Sequence, residues 1–119
     1  MNVAVIGASD KPDRYSYQAV VLLKEKGHDV FPVHQRIKEI EGVKVYPSIQ
    51  DVPAAVDTVS MYVAADISSG LADQILAKNP RRIIFNPGAE NPIVESKAKE
   101  KGVVCLNACT LVMLKTGQF

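Results

Sequence analysis

An apolar run from Val3 to Ile6 stops at Gly7, and Ala8, Ser9, Asp10, Lys11, Pro12, Asp13 and Arg14 follow it. A buried strand feeding a glycine turn is how phosphate-binding loops begin, because backbone N–H groups and a helix N-terminus then face one point. The dinucleotide pattern G-x-G-x-x-G asks for a second glycine two residues on. Ser9 stands there, and Pro12 takes the third glycine place. The Cβ of Ser9 restricts close approach to a pyrophosphate, but its hydroxyl can donate to phosphate. Gly7 lies far from the helix start near Tyr15, and Lys11 and Arg14 fall between them. The spacing predicts a loop wrapped around an anion, beside a helix end aimed at it.

The end of the second strand bears on which anion. An NAD site expects Asp or Glu there to hold the ribose hydroxyls. This chain has Val33-His34-Gln35-Arg36, with Lys38 close behind and no carboxylate in the turn. His34, Arg36 and Lys38 instead suit an extra phosphate on the ribose, as in NADP or coenzyme A. Arg36 is the best single candidate, because a guanidinium binds phosphate in a bidentate way. The competing expectation is a solvated loop whose bases are balanced by Glu39 and Glu41.

The elements that must position these residues alternate in type. Strands are expected at Asn2–Ile6, Asp29–Val33, Asp57–Val63, Arg82–Phe85 and Val103–Leu106, with a short one at Lys44–Tyr46. Helices are expected at Ser16–Lys26, at Ile67–Lys78 with Ile67, Leu71 and Ile75 at spacing four, and after Asn91-Pro92, an N-cap and N1 pair. Gly27 fits as the first helix's C′ residue. A short apolar tail, Thr110–Lys115, ends the pattern. The alternation predicts one α/β domain over residues 1–119, a doubly wound, mostly parallel five-stranded sheet of Rossmann-like type with helices on both faces. Ligands in such sheets bind beyond the carboxyl ends of the strands. The loops to watch are Gly7–Tyr15, His34–Lys38, Val63–Ser69, Asn86–Asn91 and Asn107–Thr110.

Charge and composition exclude several classes. Lys and Arg total 14 against 13 acids, which gives no general field for nucleic acid or an anionic membrane. The uncharged first residues do not read as a secretory signal, and no apolar run is long enough to span a bilayer. A cytoplasmic domain is expected. Cys105 and Cys109 are too few for a disulfide scaffold or a four-ligand zinc site, and His28 and His34 sit in no metal-ligand pattern. Asp66 and Glu90 have no spacing that marks an acid/base pair, so no catalytic residue is assigned. Cys109 follows the fifth strand on the ligand side, where a thiol-bearing ligand could arrive; Cys105, inside the strand, reads as core. The Leu111–Leu114 segment either closes the core or meets a protein partner or second subunit.

The stretches "VAVIGASDKPDRYSY", "GHDVFPV", "GVKVYPSIQDVP" with Asp57 following, and Gly88 and Asn91 of "FNPGAEN" carry a family resemblance. The whole chain resembles the small single-domain CoA-binding proteins, and is similar to the N-terminal domain of the succinyl-CoA synthetase α subunit. The resemblance implies CoA or an acyl-CoA as ligand, with Gly7, Ala8 and Ser9 at the pyrophosphate and the loop after Val33 near the adenosine. It also implies a binding, sensing or regulatory module with no established reaction.

The chain departs from the family pattern in four places. Val63-Ala64-Ala65 stands where basic residues are usual, Ala108 where Arg often precedes the late cysteine, Asn86 where Gln is common, and Gln35-Arg36 where Pro-Lys is. Two missing cations would weaken CoA binding or favour a less charged ligand. The alternatives are a small NADP-dependent oxidoreductase, and an interaction domain that has lost its ligand.

Overall fold

Val3, Ala4 and Val5 are all wholly buried, so the first strand has no solvent-facing side. Only a sheet covered on both faces allows this. The computed structural model describes residues 1–119 and shows such a sheet, built from β1 (Asn2–Ile6), β2 (Asp29–Val33), β5 (Thr58–Met61), β6 (Arg82–Phe85) and β7 (Val104–Asn107). The order is β2-β1-β5-β6-β7, and every neighbouring pair is parallel. The connections reverse direction between β1 and β5, which places the switch point, and hence the ligand crevice, at their carboxyl ends.

Side chains alternate across the sheet. Ala4, Ile6, Val59, Met61, Ile83 and Phe85 pack against α2 (Ala65–Ala77) and α3 (Pro92–Glu100). Val3 and Val5 pack on the opposite face against α1 (Tyr15–Glu25), with Leu114 of α4 (Thr110–Lys115) in the same cluster. The apolar tail is therefore a helix. Leu111, Met113 and Leu114 close the core, and Val112 is left outside at 55% exposure.

β1, β2, β6 and α4 have the expected bounds, the other boundaries differ from the sequence expectation by one or two residues, and one element differs in kind. In place of a strand at Lys44–Tyr46 there is a two-residue antiparallel hairpin, β3 (Glu39–Ile40) with β4 (Val43–Lys44). Its turn is Glu41-Gly42, both at positive φ (48° and 78°), the conformation that a tight hairpin requires. Tyr46 then makes one parallel bridge to Val33 at the free edge of β2. A 3-10 turn at Ile49–Asp51 leads on toward β5.

At the amino ends of the strands Asp57 accepts two hydrogen bonds from Arg81, at 3.0 and 3.2 Å. These bonds, with a further one from Thr58 Oγ1 (2.6 Å), outweigh partial burial and hold the carboxyl below the usual carboxylate range. A carboxyl depressed by folding stabilises the native state above its unfolded pKa of about 3.9, and that stability is lost as pH falls through the folded value. Below about pH 4, wild-type stability should therefore fall more steeply with acidification than that of Asp57→Asn. Urea midpoints from pH 5 to pH 2 check this (about the range in which carboxyls titrate); parallel slopes would contradict it.

Candidate functional site

Gly7 ends β1 at φ +83°, and a Cβ there would lie 2.7 Å from Val63 Cγ1. Close passage of the chain against the end of β5 thus already requires glycine, whether or not a ligand approaches. The N–H groups of Gly7 and Ala8 both donate to the carbonyl of Val33, at 3.2 Å each. Ala8 itself is buried in the core on the α1 face. Both N–H groups are thus engaged within the chain, where they shape the turn and bind β1 to β2.

The unspent donors lie further along. Ser9 and Asp10 make no hydrogen bond through N–H, and neither do Tyr15, Ser16 and Tyr17 at the start of α1. Arg14 is the N-cap, without a side-chain cap, and no acid lies in the first turn. Helix N-termini left open in this way favour an anion. The Ser9 hydroxyl accepts from Lys11 N–H at 3.1 Å, which folds the loop back and leaves the hydroxyl proton free. Lys11 and Arg14 are exposed, but so are Asp10 and Asp13. The loop's charges cancel, so its attraction for an anion rests on local dipoles rather than net charge.

Beside this loop, at the switch point, lies a cavity of about 570 Å³. Ile6, Val33, Ile49, Val63, Ile67, Leu71 and Ile75 form its apolar walls, and Gly7, His34, Gln35, Arg36, Ser48 and Gln74 its polar margin. No carboxylate lines it. This size and mix suit a nucleoside. His34 Nδ1 accepts from the N–H of Arg36 (3.0 Å) and of Ile37 (3.2 Å), placing the ring proton of the neutral form on Nε2. His34 thereby fixes the turn that carries Arg36. Arg36 is exposed and in no ion pair; Glu41, its expected balance, accepts instead from Tyr17 OH. Lys38 is also exposed but outside the cavity lining, where its carbonyl anchors Val45 N–H at 3.0 Å.

The remaining expected residues sit apart from the cavity. Asn86 is 1% exposed, with its amide fully used: Nδ2 donates to Ser60 Oγ (3.1 Å) and the Met61 carbonyl (2.9 Å), and Oδ1 accepts from Thr110 N–H (2.8 Å). It is a buried strut that ties β5 to the start of α4. Gly88 has φ +90°, and its N–H already donates to the Glu90 carboxylate at 2.9 Å. An anion at Gly88 would have to displace that carboxylate. Cys109 is the half-buried N-cap of α4. Near it, Tyr62 packs in the same cluster as α1 and α4, its hydroxyl buried without a partner, and burial pushes its pKa up to about 12. Cys105 is half-buried on β7, where burial first and the nearby Glu95 charge second push its thiol up. No three His, Cys, Asp or Glu side chains converge to hold a metal.

Pro47, Ser48, Ile49, Leu71, Gln74 and Ile75 also line the cavity and lie outside the loops that the sequence singles out. A sign was available for Gln74: it follows Ile67 and Leu71 at helical spacing seven and three, a polar residue on an apolar stripe.

The chain is similar to known proteins along most of its length. An uncharacterized protein of Bacillus subtilis, YneT, is 29% identical over 111 residues, spanning 92% of this chain and 82% of that protein. The α subunit of ADP-forming acetate–CoA ligase II of Pyrococcus furiosus is 42% identical over 62 residues, 51% of this chain but only 14% of the subunit. The crystal structure of an uncharacterized protein superposes with a TM-score of 0.93 at 36% identity, covering 99% of this chain and 97% of that one. No helix is long and apolar enough to cross a membrane. The model of the CoA binding domain matches residues 1–115, and the chain belongs to that family.

Proposed function

We propose that this domain binds coenzyme A or an acyl-CoA as a non-catalytic sensing or presenting module. The observation that carries the reading is the cavity free of carboxylates at the switch point, lined by unpaired Arg36 and by Gly7, from which the loop to the uncapped start of α1 departs. Adenosine occupies the cavity, and the Arg36 guanidinium takes the ribose phosphate. Ser9 and the N–H groups of Tyr15 to Tyr17 take the pyrophosphate. The lack of a carboxylate argues against NAD, whose ribose hydroxyls would go unread.

Titration calorimetry with CoA, dephospho-CoA and NADP tests the reading on wild type and Ser9→Tyr. CoA should bind wild type at least tenfold more tightly than dephospho-CoA, the effect of about 1.5–3 kcal/mol for a charge-assisted hydrogen bond. Ser9→Tyr should abolish CoA binding with an unchanged circular dichroism spectrum, because Ser9 lies on a loop outside the packed core. Equal affinity for CoA and dephospho-CoA would remove Arg36 from the site. Tighter binding of NADP would favour the oxidoreductase reading, and no binding of any of the three would favour a domain that has lost its ligand.

A further inference from the structure

Apart from Gly7 and the His34–Arg36 turn, the polar side chains lining the cavity are Ser48 and Gln74. Gln74, on the inner stripe of α2, carries the side-chain amide facing it from that helix, and Ser48 lies opposite. The two are joined in a directed chain. Ser48 Oγ accepts from Gln50 N–H at 3.0 Å as the cap of the 3-10 turn, so its own proton points elsewhere. It donates that proton to Gln74 Oε1 across a long 3.5 Å contact. In this arrangement the amide oxygen lies toward Ser48 and keeps one lone pair, and Nε2 has no partner among the chain's hydrogen bonds. Gln74 therefore offers a donor and an acceptor side by side, in a cavity that Ile49 and Ile75 also line.

We infer that Gln74, oriented by Ser48, is the residue that selects adenine as the base of the bound nucleotide. Adenine presents an exocyclic amino donor next to a ring-nitrogen acceptor, which is the complement of a primary amide and the reason Gln and Asn recognise it with two parallel hydrogen bonds. The inference rests on the CoA reading above, because that reading puts the nucleoside in this cavity. It adds base selectivity, which neither Arg36 nor the loop after β1 can supply: they meet phosphates, and phosphates carry no information about the base.

The test uses CoA and etheno-CoA, in which a two-carbon bridge blocks the adenine amino group and its adjacent ring nitrogen. Calorimetry should find wild type binding CoA about tenfold more tightly than etheno-CoA, the lower part of the range for a bidentate base contact. Gln74→Leu should bind both alike, at the wild-type level for etheno-CoA, and Gln74→Met, which keeps the length without the amide, should do the same. Ser48→Ala should lower the preference to roughly threefold by freeing the amide to rotate, an effect on the ratio that a merely structural role would not produce. Retained etheno-CoA binding shows that each variant is folded. If CoA binds and both Gln74 variants keep the wild-type ratio, the preference is steric and Gln74 is not the reader, while the CoA reading stands. If wild type binds neither ligand, both are overturned.

Discussion

Gly7→Ala is expected to lower the unfolding free energy by about 2–4 kcal/mol, as two separate penalties add. One is conformational. At φ +83° an L-residue is strained by about 1–2 kcal/mol, and glycine is not. The other is steric: the new methyl would stand 2.7 Å from Val63 Cγ1, in a region where Ile6 and Met61 leave no room for the strands to part. Trimming the neighbour separates the two. Val63→Ala removes the clashing methyl, so the double variant should be more stable than the sum of the two single losses predicts, by about 1–2 kcal/mol. The φ strain should persist in it. Urea denaturation of the four proteins measures the cycle, and additivity within about 0.5 kcal/mol would show that the close passage relaxes some other way. Because Val63 also lines the cavity, its trimming should weaken CoA binding as well, whereas loss of the Gly7 N–H as a ligand contact is not expected: that group is spent on Val33.

How far the sequence could be read follows from the same residues. The apolar runs at Val3–Ile6 and Arg82–Phe85 and the cap of Asn91 before Pro92 are local signals, and the structure keeps each of them. Parallel order also follows, since α-helices join three of the four successive pairs of sheet strands and leave few other arrangements. The hairpin at Glu39–Lys44 was missed because Glu41 adopts positive φ, a conformation its residue type does not announce. Arg36, which lines the cavity, is legible in the sequence because a base after a second strand has a chemical meaning. The resemblance points to Ala8 and the loop position to Asn86, yet both side chains face the core, and only the direction of each side chain shows that. Asn86 follows Phe85 at the end of β6, so it falls by alternation on the face opposite Phe85, under α4, away from the cavity that Ile6 and Ile75 line. Its partners Ser60 and Thr110 are 26 and 24 residues away, beyond any local pattern.

That placement predicts a loss of stability without a loss of affinity. Asn86→Ala is expected to destabilise the fold by about 2–4 kcal/mol, mainly because the buried N–H of Thr110, 2.8 Å from Oδ1 in wild type, is left without an acceptor. The other partners keep alternatives: Ser60 Oγ still meets Thr110 Oγ1 at 2.8 Å, and the Met61 carbonyl still accepts from the backbone of residue 86 at 3.2 Å. Asn86→Asp separates the acceptor from the donor. Its Oδ1 can still serve Thr110, but its second oxygen would face the Met61 carbonyl and Ser60, acceptor against acceptor, in a site that disfavours charge. The buried carboxyl should therefore titrate above its unfolded value of about 3.9. The folded state then binds more protons than the unfolded one between those two values, so the variant gains stability relative to wild type as pH falls, as the protonated oxygen donates to Met61. Thermal unfolding of the three proteins between pH 7 and pH 4.5 (roughly the span in which a raised carboxyl titrates) measures this, and a gap between the Asn86→Asp variant and wild type that stays constant with pH would contradict it. CoA affinity of the folded fraction should match wild type for both variants, since the cavity lies on the other face of the sheet; a tenfold loss, about 1.4 kcal/mol, would mean that Asn86 touches the ligand after all.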